Sequence, residues 1–372
     1  MNEVEKSKRM RILICGIICC LILGFAYMYS IIQPYVMIYF SVESAEAVYP
    51  YTILLAVFVL GNYVGGVMQK KMSVKKILLM GYLCMAAGML VTGFLPSDRF
   101  KLMWITYGGL CGIGDGMVYN VIVAMMQKWF PDKKGFATGL ALATLGISAT
   151  ILSPLCSGWL NTYGFSKTFI ILAVIFAVVG VFAMLTIDAP PEGYMADYIP
   201  NGGALNTKQY EVGEVVRSGL YYRLVLIQMF SIPAFILISS IFVSYGKSKG
   251  LDATALVAGV SIASLFQVAG RFIISSISDK ITTRNSMMLV FAITIVAVII
   301  LTFSSGYVYI VCFWILSFAY GGSAATIPSL TTDYFGVKNA GVIVSLVLIG
   351  MGISSICTPI ISRTLGISTS FI

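Results

Sequence analysis

Residues 168–187 read TFIILAVIFAVVGVFAMLTI and contain no charged side chain. A helix of about 20 apolar residues is long enough to cross the hydrocarbon core of a bilayer. Comparable stretches recur along the chain at 12–36, 48–69, 77–96, 102–127, 137–160, 168–187, 221–245, 253–277, 286–305, 307–330 and 340–362. The sequence therefore predicts an all-α integral membrane protein with eleven spans.

The overall composition agrees with membrane embedding. Of 372 residues, 59% are apolar and only 10% are charged, whereas about a quarter of the residues in a soluble domain are charged. Most lysines and arginines fall in the segments that share a side with the N-terminus, which predicts that this side is cytoplasmic. We expect a multi-pass protein of the cell membrane, and the net charge of +9 needs no nucleic-acid partner.

Residue types used in metal sites and catalysis are scarce. All eight cysteines lie within predicted spans, and the chain has no histidine. Paired C-x-x-C spacings are absent as well, so we expect neither a metal site nor a disulfide framework. An embedded enzyme would need a nucleophile with a base, or a metal, so we expect no enzyme activity and no cofactor.

A polar stretch divides the chain into two similar halves. We predict an N-terminal bundle at 1–187, a cytoplasmic linker at 188–218 and a C-terminal bundle at 219–372. Asn62 lies eight residues before Lys70, just as Arg271 lies eight before Asp279. The segment FSKTFI at 165–170, which opens the sixth span, matches ISTSFI at 367–372. We expect six helices per half with the twelfth missing; the alternative is a genuine eleven-helix protein.

One motif points to a known superfamily. Residues 66–76 read GVMQKKMSVKK, which resembles the G-x-x-x-D-R-x-G-R-R/K signature of the major facilitator superfamily, with Lys70 where the acid belongs. A second copy at 275–284 keeps Asp279 and Lys280 but lacks the glycine. The resemblance implies a 6+6 helix bundle pair. It also implies a conformational latch, whose members here would be Gly66, Lys71, Asp279 and Lys280.

Four further stretches resemble the oxalate:formate antiporter family, which is related to the monocarboxylate transporters. They are WFPDKKGFATG at 129–139, PPEGY at 190–194, GIGDG at 112–116 followed by Tyr119, and YGG at 320–322 followed by DYFGVKN at 333–339. This resemblance implies a secondary transporter that carries a small carboxylate anion by alternating access.

Two charges lie deep within predicted spans, Arg271 and Asp115. Such charges are costly in a bilayer and are functional candidates by default. Ser264, Gln267 and Arg271 have the spacing of one helix face, and a guanidinium fits a carboxylate with two parallel hydrogen bonds. We expect Arg271 to receive the anion, as the resemblance also implies for the arginine of helix 8. The alternative is an arginine tied to helix carbonyls or extended to the inner interface.

Asp115 lies near the middle of the fourth span, among Gly112, Gly114 and Gly116. These glycines predict close helix approach. Three roles stay open for Asp115: the counter-ion of Arg271 in the empty state, a proton carrier for coupling, or an aspartate that hydrogen-bonds to neighbouring helices.

The pattern of charges narrows the expected substrate. Oxalate-transporting members resemble one another in a lysine of helix 11, whereas Val342–Ser362 contains no Lys or Arg. One cation neutralises one carboxylate, so we expect a monocarboxylate such as formate, lactate or pyruvate. Proton-coupled monocarboxylate transporters carry an acid one turn before the arginine, where this chain has Gln267. Asp115 is then the remaining coupling candidate, and exchange and proton symport both stay open.

Other polar and aromatic side chains are expected to line the same cavity: Asn62, Tyr27, Tyr119 and Trp314. The competing interpretation of the aromatic faces is packing or an interfacial belt. We expect a monomer in the lipid bilayer. The alternatives to a monocarboxylate transporter are a non-transporting membrane receptor on the same scaffold and an oxalate/formate antiporter proper.

Overall fold

The structure is a computed structural model, and it describes residues 3–69, 71–130, 134–191, 194, 210–304, 306–335 and 340–365. Within these ranges the side chains at 3–6, 127, 134–136, 138–139, 275–276, 279–280, 332, 340–341, 359 and 362–365 are also outside the description. The predicted repeat at 367–372 and parts of the quoted loop motifs therefore lie outside the described residues.

All regular elements in the described ranges are helical, which confirms the predicted all-α fold. The α-helices are α1 Glu3–Leu23, α2 Tyr29–Phe40, α3 Ser44–Ala47, α4 Tyr49–Met68, α5 Val74–Gly93, α6 Gly112–Trp129, α7 Lys134–Thr186, α8 Val212–Arg217, α9 Gly219–Ser231, α10 Pro233–Ser248, α11 Ala253–Ile281, α12 Thr283–Phe303, α13 Tyr307–Phe335, α14 Ala340–Val347 and α15 Ile349–Leu365. A 3₁₀ turn, Gly24–Met28, joins α1 to α2, and a π-helical stretch, Trp104–Cys111, leads into α6.

These helices correspond to the predicted spans. In the described part of the chain, nine helical segments are long and apolar enough to cross a membrane. One of them, Leu140–Thr186, has 47 residues and contains Gly164 at φ 76°, so it comprises the predicted fifth and sixth spans. Val342–Thr358 is a shorter apolar helix at the eleventh span. The structure thus agrees with the predicted number of crossings.

The outward surface of the bundle is apolar. Phe303 is 84% exposed, Ile38 78% and Leu185 66%. Large apolar side chains exposed in this number would drive a water-soluble protein to aggregate. In lipid the same surface is solvated, so the exposed residues agree with a multi-pass membrane protein.

Several pairs of helices join the N-terminal half (1–187) to the C-terminal half (219–372). Helix α11 packs against α7, α15 against α4, and α10 against α2. Glycine makes the first contact close, because a Cβ at Gly146 of α7 would lie 2.7 Å from Cγ2 of Val268 in α11. The interface between the halves is therefore where residues from both bundles can meet.

Both ends of the predicted linker bond to residues of the helices. Asp188 forms a 2.8 Å salt bridge with Lys75, and its carbonyl accepts a 2.7 Å hydrogen bond from Nε1 of Trp129. At the other end, the backbone N–H of Tyr210 donates to the carbonyl of Phe335 at 3.2 Å. The short helix α8 was not predicted, and a capping box of Glu211 and Glu214 begins it. The domain boundaries themselves stay a prediction.

Candidate functional site

Arg271 lies on α11, ten residues before its end at Ile281, or about 15 Å along the axis at 1.5 Å per residue. Its face of α11 points at α7 of the other half. A Cβ at Gly146 would lie 3.8 Å from Nη1 of Arg271. The absence of a side chain at Gly146 therefore lets the guanidinium reach the backbone of α7.

The guanidinium makes its hydrogen bonds across the interface. Nη1 donates to the carbonyl of Leu142 in α7, and Nη2 donates to the hydroxyl of Tyr27 at 3.4 Å. Nε is buried and has no hydrogen-bond partner among the described groups. The expected alternative, an arginine tied to a helix carbonyl, is thus present in part, but the carbonyl belongs to the opposite half of the molecule.

Aromatic rings cover the Tyr27 end of the site. The hydroxyls of Tyr27 and Tyr320 lie 3.4 Å apart, and Tyr320 stacks on Phe235 with ring centroids 4.1 Å apart. The ring of Tyr27 meets both of these rings edge-on, and its centroid lies 6.1 Å from that of Tyr320 and 6.5 Å from that of Phe235. Neither Tyr320 nor Phe235 was predicted to belong to the site. The sequence feature that could have pointed to Tyr320 is the glycine that follows it. A Cβ at Gly321 would lie 2.8 Å from the backbone carbonyl carbon of Gln267.

Two residues of the predicted polar stripe, Ser264 and Arg271, face the other half. Ser264 lies 2.5 Å from Oγ1 of Thr150 in α7, and its hydroxyl donates to the carbonyl of Ser261 at 2.8 Å. Gln267, one turn before Arg271, is 2% exposed. Its Oε1 is buried and accepts no hydrogen bond from the described groups. Ser264 and Arg271 therefore contact α7 of the other half, whereas the backbone of Gln267 lies against Gly321 of α13.

Asp115 is buried on α6, 5% exposed. The salt bridge that the structure describes is the one between Lys75 and Asp188, and Asp115 has none among the described residues. Asp115 and Arg271 are both within electrostatic reach of Cys20 of α1, and the salt bridge in the described part of the chain involves neither of them. The expected close approach is present, because a Cβ at Gly114 would lie 3.1 Å from the backbone nitrogen of Met85 in α5.

Asn62 belongs to an amide network rather than to the immediate surroundings of Arg271. Its Oδ1 accepts from Nδ2 of Asn120 at 2.8 Å and from the hydroxyl of Ser345 at 2.9 Å. Gln69 donates in turn to Asn120 at 2.7 Å. Because Ser345 is on α14, this network joins the two halves at a second place.

The remaining expected cavity residues fall into two groups. Tyr119 packs against Phe58, with ring centroids 5.2 Å apart, and lies within electrostatic reach of Arg271 and Tyr27. Trp314 instead donates from Nε1 to the carbonyl of Gly259 at 3.0 Å and stacks on Phe266. The structure thus brings Tyr119 toward Arg271, whereas Trp314 fastens α13 to the early part of α11.

The predicted latch is described only in part. Gly66 lies against Asn120, whose Oδ1 would be 3.4 Å from a Cβ at that position, and Lys71 is exposed. Asp279 and Lys280 are in the last turns of α11, but their side chains lie outside the described residues, as does Lys70. The latch therefore stays a prediction.

The halves also touch where α10 meets α2. Ser244 of α10 donates to Oε1 of Gln33 at 2.6 Å, and Nε2 of Gln33 donates to the hydroxyl of Ser44 at 3.0 Å. Tyr35 donates to Asn161 on the same side, within the N-terminal half. The two halves are therefore also bonded at two places apart from Arg271, by Gln33 with Ser244 and by Asn62 with Ser345.

Three known transporters are similar to this chain. The xylose transporter XylE of E. coli in an inward open conformation has a TM-score of 0.75 at 12% identity, covering 98% of this chain and 93% of that one. The uncharacterized MFS-type transporter YhjX of Escherichia coli (strain K12) is 24% identical over 93% of this chain and 85% of its own length. The oxalate:formate antiporter of Oxalobacter formigenes is 28% identical over 86% of this chain and 76% of its own. The model of the Major Facilitator Superfamily matches residues 13–365, and the chain belongs to that superfamily of membrane transporters.

Proposed function

We propose that this protein is a secondary active transporter of small organic monocarboxylates, in which Arg271 binds the carboxylate. The two halves rock about a site between them, so that the site opens to one side of the membrane and then to the other. The similarity to an antiporter of oxalate and formate over 86% of the chain supports an organic anion as the substrate.

One observation carries this proposal: the hydrogen bonds of Arg271 cross the interface between the halves. The carbonyl of Leu142 belongs to the N-terminal half, and so does the hydroxyl of Tyr27. Rocking the halves apart must break at least one of these bonds, which leaves a buried cation in need of an acceptor. A carboxylate supplies that acceptor, and the unpartnered Nε provides a further donor for bidentate binding.

The charge at this site favours a single carboxylate. Val342–Ser362 provides no second cation, so a dianion would keep an uncompensated charge in a low-dielectric site. Formate, lactate and pyruvate carry one negative charge each. The second candidate, oxalate/formate antiport, is favoured by the name of the relative and is tested by including oxalate in the substrate panel.

Asp115 is the proposed coupling group. It is buried and has no salt bridge among the described residues, so protonation would remove an uncompensated charge from the bundle. If Asp115 carries the proton, transport is proton symport; if it serves only as a distant counter-charge to Arg271, transport is exchange.

The test is uptake into liposomes that contain the purified protein. Labelled formate, lactate, pyruvate and oxalate are offered with and without unlabelled anion inside, and with and without a pH gradient. Arg271→Ala should abolish uptake of every anion that the unsubstituted protein carries. Arg223→Ala, which removes an exposed arginine on α9, is the matched control and should transport normally.

Two outcomes would contradict the proposal. Full transport by the Arg271→Ala protein would show that the guanidinium does not hold the substrate. Binding of a carboxylate without counterflow would favour the alternative of a non-transporting receptor.

A further inference from the structure

We propose that the carried monocarboxylate is a 2-hydroxy acid, such as lactate or glycolate, whose hydroxyl donates a hydrogen bond to Oε1 of Gln267. This inference rests on the function proposed above and names the substrate class of the same site. It separates hydroxy acids from formate, pyruvate and simple fatty acids, which carry one negative charge as well.

The amide oxygen of Gln267 is buried without a hydrogen-bond donor among the described groups. The side chain is 2% exposed, and Oε1 accepts no hydrogen bond from any described group. Buried polar atoms are nearly always hydrogen-bonded, and an exception calls for an explanation. A ligand that brings a donor to this oxygen is such an explanation.

Gln267 lies about one helical turn from Arg271 on α11. The two residues are four apart on α11, so they share a face and their Cβ atoms are about 5–6 Å apart. In a 2-hydroxy acid the carboxylate and the hydroxyl are on adjacent carbons. A molecule of that size can place its carboxylate on the guanidinium and its hydroxyl on the amide one turn away.

Neighbouring groups of the described part of the protein do not donate a hydrogen bond to Oε1 of Gln267. Gly321 of α13 lies against the backbone of Gln267 and brings no side chain to it. The hydroxyl of Ser264, the next residue of the stripe, donates to the carbonyl of Ser261 at 2.8 Å. The hydroxyl of Tyr27 is placed at the guanidinium, 3.4 Å from Nη2.

These contacts determine which anions the site favours. Lactate and propionate differ by one hydroxyl, as do glycolate and acetate. Propionate and acetate have no donor, so Oε1 of Gln267 would stay unpaired in their complexes. Sites built to bind a substrate hydroxyl discriminate strongly against analogues that lack it, because the buried protein group is then left without a partner.

The chain offers a matched control for Gln267. Gln228 on α9 is also buried, at 3% exposure, and its Oε1 also lacks a partner among the described groups. It packs against α15, where its Cβ would lie 3.2 Å from a Cβ at Gly350, and it is not on the stripe of Arg271. The substitutions Gln267→Met and Gln228→Met therefore remove the same amide with little change in side-chain length.

The experiment measures uptake of labelled L-lactate and propionate, and of glycolate and acetate, by liposomes containing each protein. We expect the unsubstituted protein to prefer the hydroxy acid of each pair by about tenfold. Gln267→Met should bring both ratios close to one by lowering hydroxy-acid uptake. Gln228→Met should keep the original ratios.

The failures of the two proposals are distinguishable. Equal uptake within each pair by the unsubstituted protein would overturn the hydroxy-acid inference and leave monocarboxylate transport standing. An unchanged preference in Gln267→Met, or the same loss in Gln228→Met, would also overturn it. Uptake of none of these anions would contradict the proposed function and this inference together. If Gln267→Met does not insert, the two ratios of the unsubstituted protein decide the matter alone.

Discussion

A lysine at position 271 keeps the positive charge of Arg271 but removes the planar arrangement of its donors. An ammonium cannot hold the Leu142 carbonyl, the Tyr27 hydroxyl and a carboxylate in one plane, since it lacks the fixed fork of the guanidinium. We expect Arg271→Lys to lower uptake by about 10- to 100-fold without abolishing it. The measurement is the initial rate in liposomes at matched protein content, and a rate equal to that of the unsubstituted protein would show that charge alone suffices.

An asparagine at position 115 keeps the size of Asp115 but cannot titrate. If Asp115 carries a proton across the membrane, Asp115→Asn should end the response of uptake to an imposed pH gradient. Counterflow exchange of labelled for unlabelled anion should continue, because it needs no net proton movement. Gradient-driven uptake that persists in this variant would exclude Asp115 as the coupling group.

At the scale of helices, the contact between α7 and α11 depends on Gly146. A Cβ there would meet Cγ2 of Val268 at 2.7 Å, and valine is stiff about χ1. We expect Gly146→Ala to destabilise the protein by about 1–3 kcal/mol through overpacking. Gly158→Ala is the matched control, since Gly158 is on the same helix with nothing within 4 Å of its Cβ position. Thermal unfolding of the purified proteins in detergent compares the two, and equal melting temperatures would contradict the importance of this contact.

Helix-scale features were predictable from the sequence to different degrees. The spans could be predicted because lipid requires about 20 apolar residues in each. Local breaks could not, since hydropathy is averaged over a whole span. Gly164, at φ 76°, interrupts the helical geometry of α7 between two predicted spans, whereas Pro233 begins α10 inside one predicted span. Proline lacks the N–H that a continuous helix needs.

At the scale of the whole molecule, alternating access requires the contact between Gln33 and Ser244 to open. We expect a Gln33→Cys, Ser244→Cys double variant to lose uptake when a short bifunctional maleimide links the two halves. Either single variant treated in the same way is the control and should remain active. The measurement is liposome uptake before and after cross-linking, and undiminished uptake by the linked protein would contradict a rocking motion at this contact.

The composition of the site was predictable only within one half. Depth and spacing along α11 placed Ser264, Gln267 and Arg271 on one face, and Ser264 and Arg271 do contact the other half. The carbonyl of Leu142 and the ring of Tyr320 were not found, because a backbone acceptor has no sequence signature and contacts between halves depend on how the bundles pack. Trp314 was expected at the cavity, but aromatic spacing does not distinguish a cavity wall from a neighbouring helix, and its indole bonds to Gly259.

The partner of Arg271 on the opposite half is a main-chain oxygen, and that has a consequence for how variants of this protein can differ. Every amino acid at position 142 would present the same oxygen, so no single substitution there deletes the resting-state acceptor. The amide of Gln267 and the phenol of Tyr27 are side chains and can be exchanged one at a time. A point mutation at position 142 therefore leaves the hydrogen bond between Arg271 and the main chain in place, whereas point mutations at Gln267 or Tyr27 can change the selectivity among anions.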